Sequence, residues 1–205
     1  MKRQGSSTSS KRRYMDRRVD TREQIPTFLI VCEGERTETL YFIAFKLPSA
    51  TVIGTGFNTD TLVEEAIRLR SKGDYDQVWC VFDKDEFPPE RFNRAFILAK
   101  REGISVAYSH EAFELWFYLH FHYIDSGITR QEYINKLSDL LPKKYDKCSD
   151  TMYTDLLPLQ NIAILNATNL LRKYSSSIPI ECNPSTTVHL LVLELNKYTR
   201  TARYA

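Results

Sequence analysis

The sequence predicts an α/β protein: a parallel sheet of about four strands, covered by helices on both faces, with a helical extension at the C-terminus. Three observations lead to this fold class. Four short, continuous apolar runs are typical of strands that are buried on both faces. Segments whose apolar residues have helical spacing separate these runs. After residue 108 the strand-like runs stop, and only helical patterns continue.

Strands and helices alternate along the first half of the chain. The predicted strands cover residues 27–32, 50–53, 77–82 and 104–108, and the predicted helices between them cover 37–46, about 59–72 and 88–102. Pro88 and Pro89 suit the first turn of the third helix, because that turn leaves its N–H groups unpaired anyway. Gly103 suits the end of this helix. Strands joined in this way by helices predict parallel pairing.

The second half of the chain shows helical patterns only. Residues 112–121 are almost wholly apolar and predict a buried helix, and further helices are predicted at about 129–141, 158–174 and 184–198. Asn183 is the predicted N-cap of the last helix, with Pro184 at its first position. We therefore expect three parts, namely a basic, disordered arm at 1–24, a core at 25–124 and a helical extension packed on that core at 125–205.

Composition restricts the class of protein. Of the 205 residues, 42% are hydrophobic and 26% are charged, which is typical of a soluble globular protein. No apolar run is long enough to span a membrane, and the N-terminus lacks the apolar segment of a secretory signal. Cys32 and Cys80 lie within predicted strands, as expected for reduced cysteines in the core of a cytoplasmic protein.

Basic residues are concentrated in the N-terminal arm. Residues 1–22 carry eight basic side chains against two acidic ones, a net charge of +6, which leaves −4 for the rest of a chain whose net charge is +2. Such a segment cannot bury enough apolar surface to fold alone. It is either a solubilising tail or an arm that binds nucleic-acid phosphates. The arm residues that we regard as candidates for nucleic-acid binding are Lys11, Arg12, Arg13, Arg17 and Arg18.

Acidic residues follow two of the predicted strands. Glu33 comes directly after the strand at 27–32, and Asp83 and Asp85 follow the strand at 77–82. The carboxyl ends of parallel strands meet at one edge of the sheet, where ligands bind. Carboxylates gathered there repel one another unless a cation lies between them, and a hard divalent metal such as Mg²⁺ suits oxygen ligands. The sequence therefore predicts a metal site at this edge.

Four motifs occur in order along the chain: residues 28–38 (FLIVCEGERTE), 113–116 (FELW), 120–121 (HF) and 183–188 (NPSTTV). Together they resemble the RloB-like family, and the resemblance spans about 25–195. The strand followed by Glu-Gly, together with the later Asp-x-Asp, is similar to a Toprim domain. This resemblance implies that Glu33 is a general acid/base or metal ligand and that Asp83 and Asp85 hold Mg²⁺ or Mn²⁺. It also implies a nuclease-like partner of an ATPase, encoded nearby, in bacterial antiviral or abortive-infection defence.

Three other side chains near these motifs have alternative interpretations. Glu114 lies in an apolar segment, so it either has a basic or hydrogen-bonding partner in the core or completes the metal site. Arg36 either binds a substrate phosphate or forms a salt bridge with a neighbouring acid. We expect His120 to be a core residue.

Two main functions remain for testing. One is a metal-dependent nuclease acting on DNA or RNA, and the other is a non-catalytic module that binds nucleic acid or an ATPase. A phosphoacceptor receiver domain is less favoured, because no fifth strand is available to supply its lysine. Either main function is compatible with a homo-oligomer.

Overall fold

We describe a computed structural model of the chain, which covers residues 25–84, 88–174 and 181–202, with the side chains of 200–202 left out. The strands are β1 (Phe28–Cys32), β2 (Ala50–Gly54), β3 (Gln77–Lys84) and β4 (Ser105–His110). The helices are α1 (Thr37–Ile43), α2 (Thr59–Arg70), α3 (Pro89–Glu102), α4 (Glu114–Tyr118), α5 (Arg130–Leu140), α6 (Met152–Leu156), α7 (Gln160–Lys173) and α8 (Val188–Ala202).

The four strands form one sheet in the order β2-β1-β3-β4, with every pair parallel. This confirms the predicted fold class. β1 and β3 occupy the centre, and all five residues of β1 are fully buried. Apolar side chains on both faces of β1 explain why the sequence shows a continuous run there and not an alternating one.

Helices cover both faces of the sheet. On one face, alternate residues of β1 such as Phe28 and Ile30 pack with α1 and with helices of the second half of the chain, including Trp116 and Leu191. On the other face, residues such as Leu29 pack with α2 and α3. The helix after β1 and the helix after β3 therefore lie on opposite faces. The predicted division into parts at 1–24, 25–124 and 125–205 stays a prediction.

Local signals explain most helix ends. α3 has Pro89 at its start and ends at Gly103, whose φ of 68° is the left-handed conformation that glycine adopts readily. α5 begins with a capping box, in which Thr129 and Glu132 each bond the other's backbone N–H. The helix predicted at 112–121 is shorter, and only Glu114–Tyr118 is helical.

The C-terminal helix begins later than predicted. α8 starts at Val188, so Pro184 is not its first residue and Asn183 is not its N-cap. Residues 185–187 instead lie beside β4: the His110 N–H donates to Ser185 O at 3.0 Å, and the Thr187 N–H donates to Tyr108 O at 2.9 Å. This short segment covers the outer edge of the sheet. In the part of the chain that is described, every helix is too short or too polar to cross a membrane.

Candidate functional site

Glu33 and Asp83 lie side by side where β1 and β3 end. The Glu33 N–H donates to Val81 O at 2.9 Å, which keeps Glu33 against β3. Asp83 is still within β3, and its N–H is 3.4 Å from Glu33 Oε2. Because the helices that follow β1 and β3 lie on opposite faces of the sheet, this is the switch point at which ligands bind in open α/β sheets.

Two buried carboxylates lie beside this pair. Glu38, in the first turn of α1, is 6% exposed, and Glu114, at the start of α4, is 3% exposed. Burial holds the pKa of Asp83 well above its usual range, and the negative charges of Glu38, Glu114 and Glu33 raise it further. Burial is also the main reason why the pKa of Glu38 is raised. The four acids therefore influence one another electrostatically.

Three cations surround the acids. Arg130, the first residue of α5, donates from Nη2 to Asp83 Oδ2 at 3.3 Å and to Glu111 O at 3.0 Å. Lys147 Nζ lies 4.0 Å from Glu114 Oε1. Arg36 is exposed at the turn between β1 and α1 and lines the same cleft. All three cations can therefore meet an anionic ligand that enters the cleft.

The cleft has a volume of about 420 Å³. Its lining residues are Glu33, Gly34, Glu35, Arg36, Thr37, Glu38, Gly56, Asp83, Glu114, Arg130 and Lys147. The lining thus carries five carboxylates against three cations, a formal excess of two negative charges when all are ionised. A single divalent cation would balance that excess.

Part of the site suits a hard cation. Asp83 Oδ1 is buried and has no hydrogen-bond partner among the described residues, so a carboxylate oxygen remains for a ligand. In residues 25–84, 88–174 and 181–202, however, no three His, Cys, Asp or Glu side chains are arranged to hold a metal ion. Asp85, the third acid that the sequence predicts, lies outside the described residues. The described acids alone do not complete a metal site in this arrangement.

Comparison with known families identifies the group to which the chain belongs. The family described as RloB-like protein matches residues 28–195, which is most of the chain. The protein belongs to the RloB-like family. Neither the curated proteins nor the solved structures include a significant match to this RloB-like protein.

The structure places the remaining predicted residues of this RloB-like protein as follows. His120 is buried, and burial lowers its pKa to about 4. Its Nδ1 lies 2.9 Å from Trp116 O, as expected of a core residue. Glu114 accepts a hydrogen bond from Tyr145. It also belongs to the acidic cluster, which comprises Glu33, Glu38, Asp83 and Glu114. The arm residues Lys11, Arg12, Arg13, Arg17 and Arg18 lie outside the described part of the chain.

Several residues in or beside the cleft were not predicted from the sequence. Arg130 and Lys147 line the cleft and Tyr145 contacts Glu114, and all three belong to a part of the chain whose sequence shows only helical periodicity. Glu38 follows Glu33 by five residues, and its position in the first turn of α1 was the signal that could have revealed it. Glu111 was also overlooked: its Oε1 accepts from the Arg130 N–H at 3.1 Å, so it positions Arg130 at the cleft.

Proposed function

We propose that this RloB-like protein is a metal-dependent nuclease that cleaves phosphodiester bonds in DNA or RNA. The observation that carries this proposal is that Glu33, Asp83 and Glu114 line one cleft at the switch point of the sheet, together with three cations. Phosphodiester cleavage needs carboxylates to bind a divalent ion and cations to hold the phosphate, and the cleft offers both.

The proposal assigns a role to seven charged side chains. Glu33, Asp83 and Glu114, together with Asp85, would hold Mg²⁺ or Mn²⁺, which supplies Lewis-acid polarisation and lowers the pKa of bound water. Arg36, Arg130 and Lys147 bind phosphate oxygens, as a planar guanidinium or an ammonium readily does. Glu33 is the candidate to accept a proton from the attacking water, because it directly follows the C-terminal end of β1 and lies beside Asp83.

The proposal is tested by incubating the purified protein with DNA and RNA in Mg²⁺, Mn²⁺ or EDTA. Cleavage should require the cation, and Glu33→Gln and Asp83→Asn should each abolish it. Glu64→Gln is the matched control, since Glu64 is exposed on α2 and does not line the cleft. Equal cleavage by the wild type and both cleft variants would show that the activity comes from a contaminant or from another site.

The cellular context is also part of the proposal. We infer from the family that the nuclease acts in a bacterial antiviral defence system together with an ATPase encoded nearby. Co-expression with the neighbouring ATPase, followed by affinity purification, tests the partnership directly. Separate elution of the two proteins, together with unchanged nuclease activity, would remove the ATPase from the proposal.

A non-catalytic module that binds nucleic acid or an ATPase is the second candidate. Two observations favour it: the described acids do not complete a metal site, and Asp83 Oδ2 already accepts from Arg130. This candidate predicts salt-dependent nucleic-acid binding in EDTA without cleavage in any cation. Deleting residues 1–22 should then abolish that binding if the basic arm carries it.

A further inference from the structure

Tyr145 brings the connection between α5 and α6 to the acidic cluster. Its ring is only 8% exposed and packs edge-on against Phe117, with 6.3 Å between the ring centroids. Its backbone N–H donates to Ser138 Oγ at 3.2 Å. The Tyr145 hydroxyl donates to Glu114 Oε1 at 2.8 Å. Ring and backbone are thus both anchored, and the hydroxyl is held against the carboxylate of Glu114.

This contact fixes one side of the Glu114 carboxylate. Among the described residues, the Tyr145 hydroxyl and Lys147 Nζ both approach this carboxylate at Oε1. Glu114 and Asp83 line the same cleft, so their carboxylates face a common ligand space. With Oε1 engaged by Tyr145, Oε2 is the oxygen that remains for a ligand in the cleft.

A tyrosine hydroxyl is chemically suited to orienting the Glu114 carboxylate. The Tyr145 hydroxyl carries one proton, and in this contact it donates that proton's hydrogen bond to the carboxylate, which can only accept. The same anchored segment carries Lys147, whose carbonyl accepts from Thr37 Oγ1 at 3.4 Å. Tyr145 therefore connects the position of Glu114 with that of a cation at the cleft.

We propose that Tyr145 is a positioning residue, whose hydroxyl orients Glu114 for binding a divalent cation in the cleft. This inference rests on the proposed cation site. In metal sites, hydrogen bonds to the ligands set the orientation of those ligands, and losing such a bond weakens metal binding by about 10- to 100-fold. We expect a loss near the lower end of this range, because Lys147 still approaches Glu114 Oε1.

The test compares Tyr145→Phe with Tyr133→Phe. Both substitutions remove one hydroxyl from a buried tyrosine. Of the two hydroxyls, that of Tyr145 donates to Glu114, whereas that of Tyr133 has no hydrogen-bond partner among the described residues. Mn²⁺ binding is measured by titration calorimetry, and folding is checked by thermal unfolding in EDTA. We expect Tyr145→Phe to weaken Mn²⁺ binding by about tenfold and Tyr133→Phe to leave it unchanged. Cleavage by Tyr145→Phe should recover at saturating Mn²⁺.

A second measurement tests whether Tyr145 acts through Glu114. In a Glu114→Gln background, adding Tyr145→Phe should produce little further loss of Mn²⁺ affinity. Wild-type affinity in Tyr145→Phe, or an equal loss in Tyr133→Phe, would overturn the inference and leave the cation site standing. A wild-type protein that binds no Mn²⁺ would overturn both the inference and the proposed nuclease.

Discussion

Replacing Gly34 by alanine would test whether the Glu38 carboxylate has to lie where the fold places it. Gly34 follows Glu33 at the turn out of β1, and its φ is not in the left-handed region, so alanine causes no backbone strain there. A Cβ at this position would lie 2.0 Å from Glu38 Oε2. The substitution therefore displaces a carboxylate of the cleft without removing any charged group.

The size of the displacement follows from this contact. Ordinary van der Waals contact begins at 3.4 Å, so Oε2 has to move by about 1.4 Å from its 2.0 Å position. Glu38 raises the pKa of Asp83, so its carboxylate is part of the electrostatic surroundings of a proposed metal ligand. A misplacement of about 1 Å among such catalytic charges can reduce the rate by about 10²-fold. The fold should tolerate the change, because the displaced atom ends a flexible side chain. Crowding of the Glu38 side chain should destabilise the folded state by about 1 kcal/mol or more. Alanine also restricts the unfolded chain more than glycine does, which stabilises the folded state by about 0.4–1 kcal/mol and offsets part of that loss.

We expect Gly34→Ala to unfold within a few degrees of the wild type in EDTA and to cleave nucleic acid about 10²-fold more slowly. If the effect passes through Glu38, adding Gly34→Ala to a Glu38→Ala variant should change the rate little further. Gly103→Ala is a control for glycine replacement away from the cleft, although its left-handed φ makes that variant less stable. Wild-type activity in Gly34→Ala would show that the position of Glu38 does not matter.

Three further predictions concern the charge, the edge of the sheet and the phosphate contacts. The pKa of Asp83 is raised in the folded state, so the free energy of unfolding in EDTA should fall as the pH rises above the usual carboxyl range. In thermal unfolding, Asp83→Asn should weaken this pH dependence. The same pH dependence in the variant would contradict the raised pKa. Thr186→Val removes buried hydrogen bonds to Tyr108 O and Ser109 Oγ. It should lower the free energy of unfolding in urea by about 1–3 kcal/mol. A loss near zero would mean that these hydrogen bonds do not hold residues 185–187 against β4. In fluorescence anisotropy, Lys147→Ala should reduce the steepness of the fall of log affinity with log salt concentration by about 0.7–0.9. A wild-type slope would show that Lys147 does not contact a phosphate.

The sequence predicted the sheet well because its signals are local. The apolar runs at 27–32 and 77–82 lie over β1 and β3, since strands buried on both faces need apolar side chains throughout. The prediction ended β3 too early, because polar residues begin at Asp83. Backbone pairing with β4 nevertheless continues, with Asp83 opposite Ser109 and Lys84 opposite His110.

The start of α8 could not be predicted from local signals. Asn183 and Pro184 are a favourable pair for a helix N-terminus, but Ser185, Thr186 and Thr187 bond to β4, more than 70 residues earlier in the chain. Thr186 Oγ1 also accepts from the Val188 N–H at 3.2 Å, so a hydroxyl inside the segment caps the helix that follows it. Residues 185–187 could locally either begin the helix or extend beside β4, and their long-range bonds to β4 favour the extended conformation.

The candidate site was only half predictable for a similar reason. Glu33 and Asp83 follow strands, and the topology of a parallel sheet is enough to bring such residues together. Arg130, at the start of α5, and Lys147, after α5, are brought to the cleft by tertiary packing, which local sequence signals do not reveal. The same packing brings Tyr145 to Glu114. For Glu114 the sequence offered two alternatives, a partner in the core or membership of the acidic site. The structure gives it a partner in Tyr145 and also places it in the cleft.

The acidic cluster costs the folded protein stability, and this cost is the physical argument for a ligand. Raised pKa values of Glu38 and Asp83 mean that folding disfavours their charged forms, and the ion pair with Arg130 compensates only in part. Neutral side chains would fill the same space without that cost. A cation that binds only the folded protein would restore stability in proportion to the logarithm of its concentration. The cluster is therefore understandable as a site prepared for positive charge, which a divalent ion supplies in the nuclease proposal.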